Sequence, residues 1–201
     1  TYDMARKHGF TNINIDLMSS LPGQTPEIFC DSLHRVLQLK PEHISAYSLI
    51  IEKGTPFYDL YKFDAVRQEA GMQTESLPTE EEEYQTTKMT QHILKEAGYH
   101  WYEVSNFAKP GYECRHNIGY WKRSDYLGFG PSAASLFGNR RWTNTADRSL
   151  YLKACGALEK IREDEEILSR QDAMEEFMFL GLRMTQGIST AEFEEKFGKE
   201  I

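Results

Sequence analysis

Five groups of residues have the types and spacing to do chemistry. Asp16 stands in NINIDLM, where a carboxylate flanked by Ile15, Leu17 and Met18 costs free energy if buried without partners. It must then accept strong hydrogen bonds, from a ribose or amino group of a ligand or from its own loop. The string HNIGYW, His116 to Trp121, follows Cys114 and Arg115. Neutral imidazole is a good ligand for iron, Tyr120 and Trp121 supply flat apolar surface for a large ring, and Arg115 could pair with a propionate. Those ingredients suit a haem or another porphyrin, although such clusters are more often packed, hydrogen-bonded structure.

Weaker signals accompany these two. LPGQT, Leu21 to Thr25, could present backbone N–H groups to an anion at a helix start, but one Gly and one Pro specify only a turn. YEVSNFA, Tyr102 to Ala108, read as one strand, puts Glu103, Ser105 and Phe107 on one face and Val104 and Asn106 on the other. That is a polar sheet edge or a site. GFGPSAAS, Gly128 to Ser135, admits a flat ligand or tight packing. The run Glu80 to Glu83 complements a helix dipole and carries no function.

The elements that must position these residues follow from periodicity. Residues 12–18 alternate as a strand, and Thr25 with Pro26 starts a helix whose Phe29, Leu33, Val36 and Leu37 share a face until Pro41. Residues 43–51 form a second strand, so the unit is a parallel right-handed crossover with Asp16 to Met18 and Leu49 to Glu52 on one rim. Ligands of α/β folds bind on that rim. Residues 59–76 are weakly helical. Thr79 and Glu82 form a capping box for a helix ending at Gly98, 100–108 is an aromatic strand, and 109–127 is a loop. Leu150, Tyr151, Ala154, Leu158 and Ile161 mark one amphipathic helix, REDEE a charged link, and Ser169 and Ser189 the starts of two more helices.

Composition sets limits on partners. The 201 residues carry 23 Lys plus Arg against 31 Asp plus Glu, a net charge of −8, which argues against nucleic acid as the main partner. Cys30, Cys114 and Cys155 lie too far apart to read as a disulfide framework or a short-spaced zinc site, and a reducing cytosol fits them best. No run of eighteen or more apolar residues occurs, and the first residues have neither the apolar stretch nor the small-residue cleavage site of a signal peptide. The first residues, TYDMARKHGF, read like the inside of a helix, so a piece of a longer protein is expected.

Taken in order, NINIDLMSSLPGQT, HISAYSLIIEKGTPFY, YEVSNFAKPGYECRHNIGYW and DYLGFGPSAAS resemble the oxygen-independent coproporphyrinogen III oxidase-like family of radical S-adenosylmethionine proteins. HNIGYW and ISAYSL resemble its haem-chaperone branch more than the true oxidase. The resemblance implies an α/β fold, the C-terminal part of an incomplete TIM-like barrel over residues 1–145, then the start of a helical, winged-helix-like domain over 146–201. It implies S-adenosylmethionine contacts at Asp16, Ile50 and Ala134, and haem binding by His116, through the iron, with Tyr120 and Trp121 shaping the site.

The family's CxxxCxxC motif for a [4Fe-4S] cluster is missing, so the cluster and S-adenosylmethionine belong to the full-length parent and the chain is not expected to be catalytic alone. The implied function is a cytoplasmic haem chaperone that hands haem to client haemoproteins. The alternatives are oxidation of coproporphyrinogen III in porphyrin biosynthesis and an inactive truncated module. An exposed barrel edge would favour self-association.

Overall fold

The structure, a computed structural model, describes residues 1–154 and 156–198; Cys155 lies outside the described residues. It divides into two compact units, residues 1–113 and 114–201, and the expected boundary at 145/146 falls inside the second.

In the first unit, helix α1 (Tyr2–Lys7) leads to strand β1 (Asn14–Ser19), helix α2 (Pro26–Leu39), strand β2 (His43–Ser48), helices α3 (Pro56–Glu69) and α4 (Glu80–Glu96), and strands β3 (His100–Glu103) and β4 (Asn106–Ala108). The expected crossover is present: β1 and β2 pair in parallel, Asn14 opposite His43 through Ser19 opposite Ser48. Helix α2 begins where its residues dictate, the Thr25 hydroxyl accepting from the Ile28 N–H, Pro26 in the first turn, and Lys40 in the left-handed conformation closing the other end. The Thr79–Glu82 capping box is formed in both directions.

The four strands lie in the order β1-β2-β4-β3. One face is apolar: Ile44 and Phe107 pack with Leu33, Leu94 and Tyr99, and Leu17, Ala46, Val36, Leu37 and Ile93 close around them. Complete burial of Leu33, Ile44 and Leu94 contributes about 1.5–3 kcal/mol each. The loop after α3 is held differently, by the buried Asp64 carboxylate, which accepts from the backbone N–H groups of Glu75 at 3.0 Å, Ser76 at 2.6 Å and Leu77 at 3.1 Å.

The single strand expected over 100–108 is instead a tight antiparallel hairpin. Glu103 drives the reversal: its carboxylate accepts from the Ser105 N–H at 3.2 Å and from the Asn106 side-chain amide, so the chain turns at Val104 and Ser105. Glu103 then pairs with Asn106, with a register shift between Trp101 and Glu103.

The second unit contains helix α5 (Arg115–Trp121), strands β5 (Ala134–Phe137) and β6 (Arg140–Asn144), helix α6 (Arg148–Lys153), a 3-10 turn at Leu158–Ile161, strand β7 (Arg162–Ile167), and helices α7 (Arg170–Gly181) and α8 (Thr190–Phe197). Two expectations are corrected here. HNIGYW is helical, not loop, and the long helix over 150–161 is broken into α6 and the 3-10 turn, with Gly156 at φ +91° between them. A third correction concerns REDEE, which is part of β7 and pairs antiparallel with β6. The charged strand is tolerated because its charges find partners on β6: Arg140 of β6 reaches Glu165 at 3.2 Å, and Arg162 of β7 lies over the ring of Trp142 on β6 at 4.4 Å. The Ser169–Asp172 capping box, the Ser189 cap and the left-handed Gly198 stop are as expected.

Candidate functional site

The second face of the first unit's sheet is polar, and strand alternation puts it there. Asn14 and Asp16 of β1 stand beside His43 and Ser45 of β2, and Asn106 of β4 follows Ser45 in register. The irregularity in β3 adds Tyr102 to this face while Trp101 stays on the apolar side, its ring stacked 6.5 Å from Phe107. Buried His43 bonds through Nδ1 to Asn14 Oδ1 at 2.6 Å and through Nε2 to the Tyr102 hydroxyl at 2.7 Å. Burial holds its pKa below the ordinary imidazole value, against the opposing pull of Glu103, Asp16 and Glu113.

Asp16 itself is exposed and accepts from the Asn14 side-chain amide at 2.5 Å, leaving the rest of its acceptor capacity open. Buried Asn106, whose amide N–H2 is given to Glu103, keeps an Oδ1 with no partner among the described residues. The face therefore offers two acceptors that call for a donor-rich ligand. Ile50 lies just past β2, 75% exposed, and lines a cavity of about 250 Å3 with Ser20, Ser48, Gln68 and Glu83. Asp16 thus sits on β1 and Ile50 two residues beyond the end of neighbouring β2. The LPGQT turn is committed elsewhere: Gly23 N–H donates to Ser76 O at 2.7 Å.

In the second unit, α5 carries the His116 motif. Exposed His116 has its ring edge-on to Tyr120 at 4.6 Å, and Tyr120 is edge-on to Tyr126 at 4.7 Å. No hydrogen bond engages the imidazole among the described residues, so its nitrogens are open to a ligand. Trp121 is turned away from His116, because five residues along a helix is about 140° round it. Arg183 covers the Trp121 ring at 4.3 Å, and Trp121 lines a cavity of about 140 Å3 with Phe177, Met184 and Ile188. The structure thus brings Tyr120 to His116 and sets Trp121 into the packing against α7.

Ala134 opens β5 and is exposed. Its carbonyl explains the glycine-rich segment: a Cβ on Gly128 would fall 2.2 Å from Ala134 O, and the Asn144 amide donates to Gly128 O at 3.2 Å and Gly130 O at 3.0 Å. Of the two readings of GFGPSAAS, tight packing is the one realised at Gly128.

Sequence reasoning missed a buried charge cluster behind α5. Arg123, left-handed at φ 52° just past the helix, donates from Nε to Glu176 Oε2 at 2.7 Å, and Arg141 pairs with the other Glu176 oxygen. No local pattern links residues 53 and 35 positions apart, so nothing in the sequence marks them.

A [4Fe-4S] cluster does not fit the residues present. Among the described residues no group of three His, Cys, Asp or Glu could hold a metal ion. Cys30 is buried, and burial pushes its thiol up, away from thiolate. No helix among the described residues is long and apolar enough to cross a membrane.

Comparison with known proteins agrees with the motifs. The HemN C-terminal domain family matches residues 168–201. Heme chaperone HemW of Lactococcus lactis subsp. lactis (strain IL1403) is 40% identical over 192 residues, 96% of this chain and 48% of that protein. Heme chaperone HemW of Bacillus subtilis (strain 168) is 36% identical over 201 residues, 100% of this chain and 51% of that protein. Radical S-adenosyl methionine domain-containing protein 1, mitochondrial, of Danio rerio is 32% identical over 202 residues, 96% of this chain and 44% of that protein. The chain spans about half the length of the curated relatives it matches. Among solved structures, coproporphyrinogen III oxidase (HemN) from Escherichia coli, described as a radical SAM enzyme, shares the α/β fold with a TM-score of 0.72 at 22% identity, over 98% of this chain and 46% of that one.

Proposed function

We propose that this chain, a relative of the Heme chaperone HemW proteins in the coproporphyrinogen III oxidase-like radical S-adenosylmethionine family, forms part of a cytoplasmic protein that binds haem and passes it to client haemoproteins. The observation that carries this reading is His116, an exposed imidazole whose ring touches Tyr120 and whose nitrogens are not engaged among the described residues. A neutral imidazole of this kind ligates haem iron. Tyr120 would orient the ring from one side, and the packing of Trp121 would fix the helix that carries both. An open, singly held ligand suits cargo that must be given up again.

Within the same reading the polar sheet face serves S-adenosylmethionine, which supplies radical chemistry in full-length relatives together with a [4Fe-4S] cluster whose ligands lie outside this chain's residues. Asp16 would accept from the ligand's hydroxyl or ammonium donors, Asn106 Oδ1 offers a second acceptor on that face, and Ile50 would add a contact. The sheet would be a portion of a TIM-like barrel, and the last helices the start of a winged-helix-like domain. The strand edge at β1 would permit self-association.

Haemin titration tests the chaperone reading. The chain should shift the Soret band, and His116→Ala should abolish the shift while leaving thermal unfolding unchanged; an identical shift in both proteins would remove His116 from the role. Coproporphyrinogen oxidation is supported by the likeness of fold alone, which does not choose between the two activities.

A further inference from the structure

We propose that His43 is a positioning residue for the Asp16 carboxylate, acting through the side-chain amide of Asn14. The inference rests on the reading of Asp16 as a ligand contact only for its purpose; the geometry stands without it. Asp16, when ionised, can only accept. The Asn14 atom 2.5 Å from Asp16 Oδ1 must therefore be the amide nitrogen, since the opposite orientation would set two acceptors against each other. Asn14 Oδ1 then faces His43 Nδ1 at 2.6 Å and requires a proton there. Neutral His43 is thereby fixed as the Nδ1–H tautomer, and its Nε2 accepts from the Tyr102 hydroxyl at 2.7 Å.

Each bond in this row has one permitted direction, from Tyr102 O–H through His43 and Asn14 to Asp16. Ser45 Oγ lies 3.1 Å from the Asn14 nitrogen and 3.3 Å from its oxygen, and can complete the amide's valences in either role. The row spans the sheet from β3 to β1, so a buried, sheltered end governs an exposed one. His100, Glu103 and Glu113 are the other titratable groups near the buried end, and desolvation outweighs the pull of the carboxylates, keeping His43 in the neutral form the row needs. Without the His43 proton, Asn14 Oδ1 loses its buried donor, and the amide that serves Asp16 is anchored at one end only, so the donor it offers is less firmly placed.

The test uses the 201-residue chain labelled with 15N, in two variants. His43→Asn keeps an N–H2 where Nδ1 stands, and His43→Gln moves the donor out to the Nε2 position. Wild type should show one histidine as the Nδ1–H tautomer, assigned by its loss in both variants, and a strongly downfield Asn14 side-chain amide proton that survives His43→Asn and is lost in His43→Gln. Titrated with S-adenosylmethionine and followed at the Asp16 backbone amide, His43→Asn should bind within about threefold of wild type, while His43→Gln should weaken binding by about tenfold, the scale of one hydrogen bond. Thermal unfolding of both variants separates positioning from folding. An Nε2–H tautomer, or equal behaviour of the two variants, overturns the proposal. Asp16→Asn binding like wild type, or no binding by any form, overturns the ligand reading of Asp16 alone, because the tautomer and amide signals need no ligand.

Discussion

His43 and Gly128 show how single residues set conditions that their neighbours must meet. Buried His43 has its pKa lowered, so the unfolded chain binds a proton that the folded chain refuses. Stability then rises with pH through the region just below the ordinary histidine value of about 6.5 and is lost as pH falls there. The melting temperature should drop between about pH 7 and pH 5.5, and His43→Asn should flatten that part of the profile while the acid limb, set by carboxylates such as Asp64 and Glu42 with lowered pKa values, remains. Gly128 is constrained by space: a methyl group there meets the Ala134 carbonyl at 2.2 Å. Gly128→Ala should destabilise the protein by about 1–3 kcal/mol, as overpacking does, measured as a lowered urea midpoint. At this scale the sequence was informative about identity and poor about partners. Asp16 and His116 were visible as candidates, but the Asn14 amide and His43 ring that orient Asp16 were not, because their relation depends on strand register across 29 positions.

Elements were legible where a cap or a breaker stands at the end. Thr25 with Pro26, Thr79 with Glu82, Ser169 with Asp172 and Gly198 each mark a boundary that the structure keeps. The failures lie where a boundary rests on something other than local preference. The Val104–Ser105 reversal contains neither Gly nor Pro and is made by the Glu103 carboxylate. Helix α5 starts at Cys114 with no side-chain cap and includes Gly119, and β7 is a strand because β6 supplies arginines opposite its glutamates. Strand β1 has β2 as its one hydrogen-bonded neighbour among the described strands, and Met18 on it is 39% exposed. An open edge of this kind pairs with other chains unless it is charged or covered. Sedimentation of the 201-residue chain at rising concentration should show reversible association, reduced by Met18→Lys; a monomer at every concentration would discount the edge.

For the molecule as a whole, the division into units places α5 with the strands and helices that follow it, residues 114–201. The HNIGYW helix and the segment matched by the HemN C-terminal domain family therefore belong to one folding neighbourhood. The most buried ionic link between them is Glu176, which takes Arg123 at 2.7 Å with the arginine side chain 8% exposed, beside Arg183 over the Trp121 ring and Lys122 paired with Glu192. Removing one partner of a buried pair costs about 3–5 kcal/mol, so Glu176→Ala should lower the unfolding midpoint of this unit and weaken haemin binding, read together by calorimetry and the Soret shift. A seven-residue helix has little stability of its own in water, and α5 is therefore splinted from behind by α7. Changes in α7, far downstream of the histidine, should accordingly loosen the helix that carries it and, under the proposed reading, lower haemin affinity without altering His116 itself.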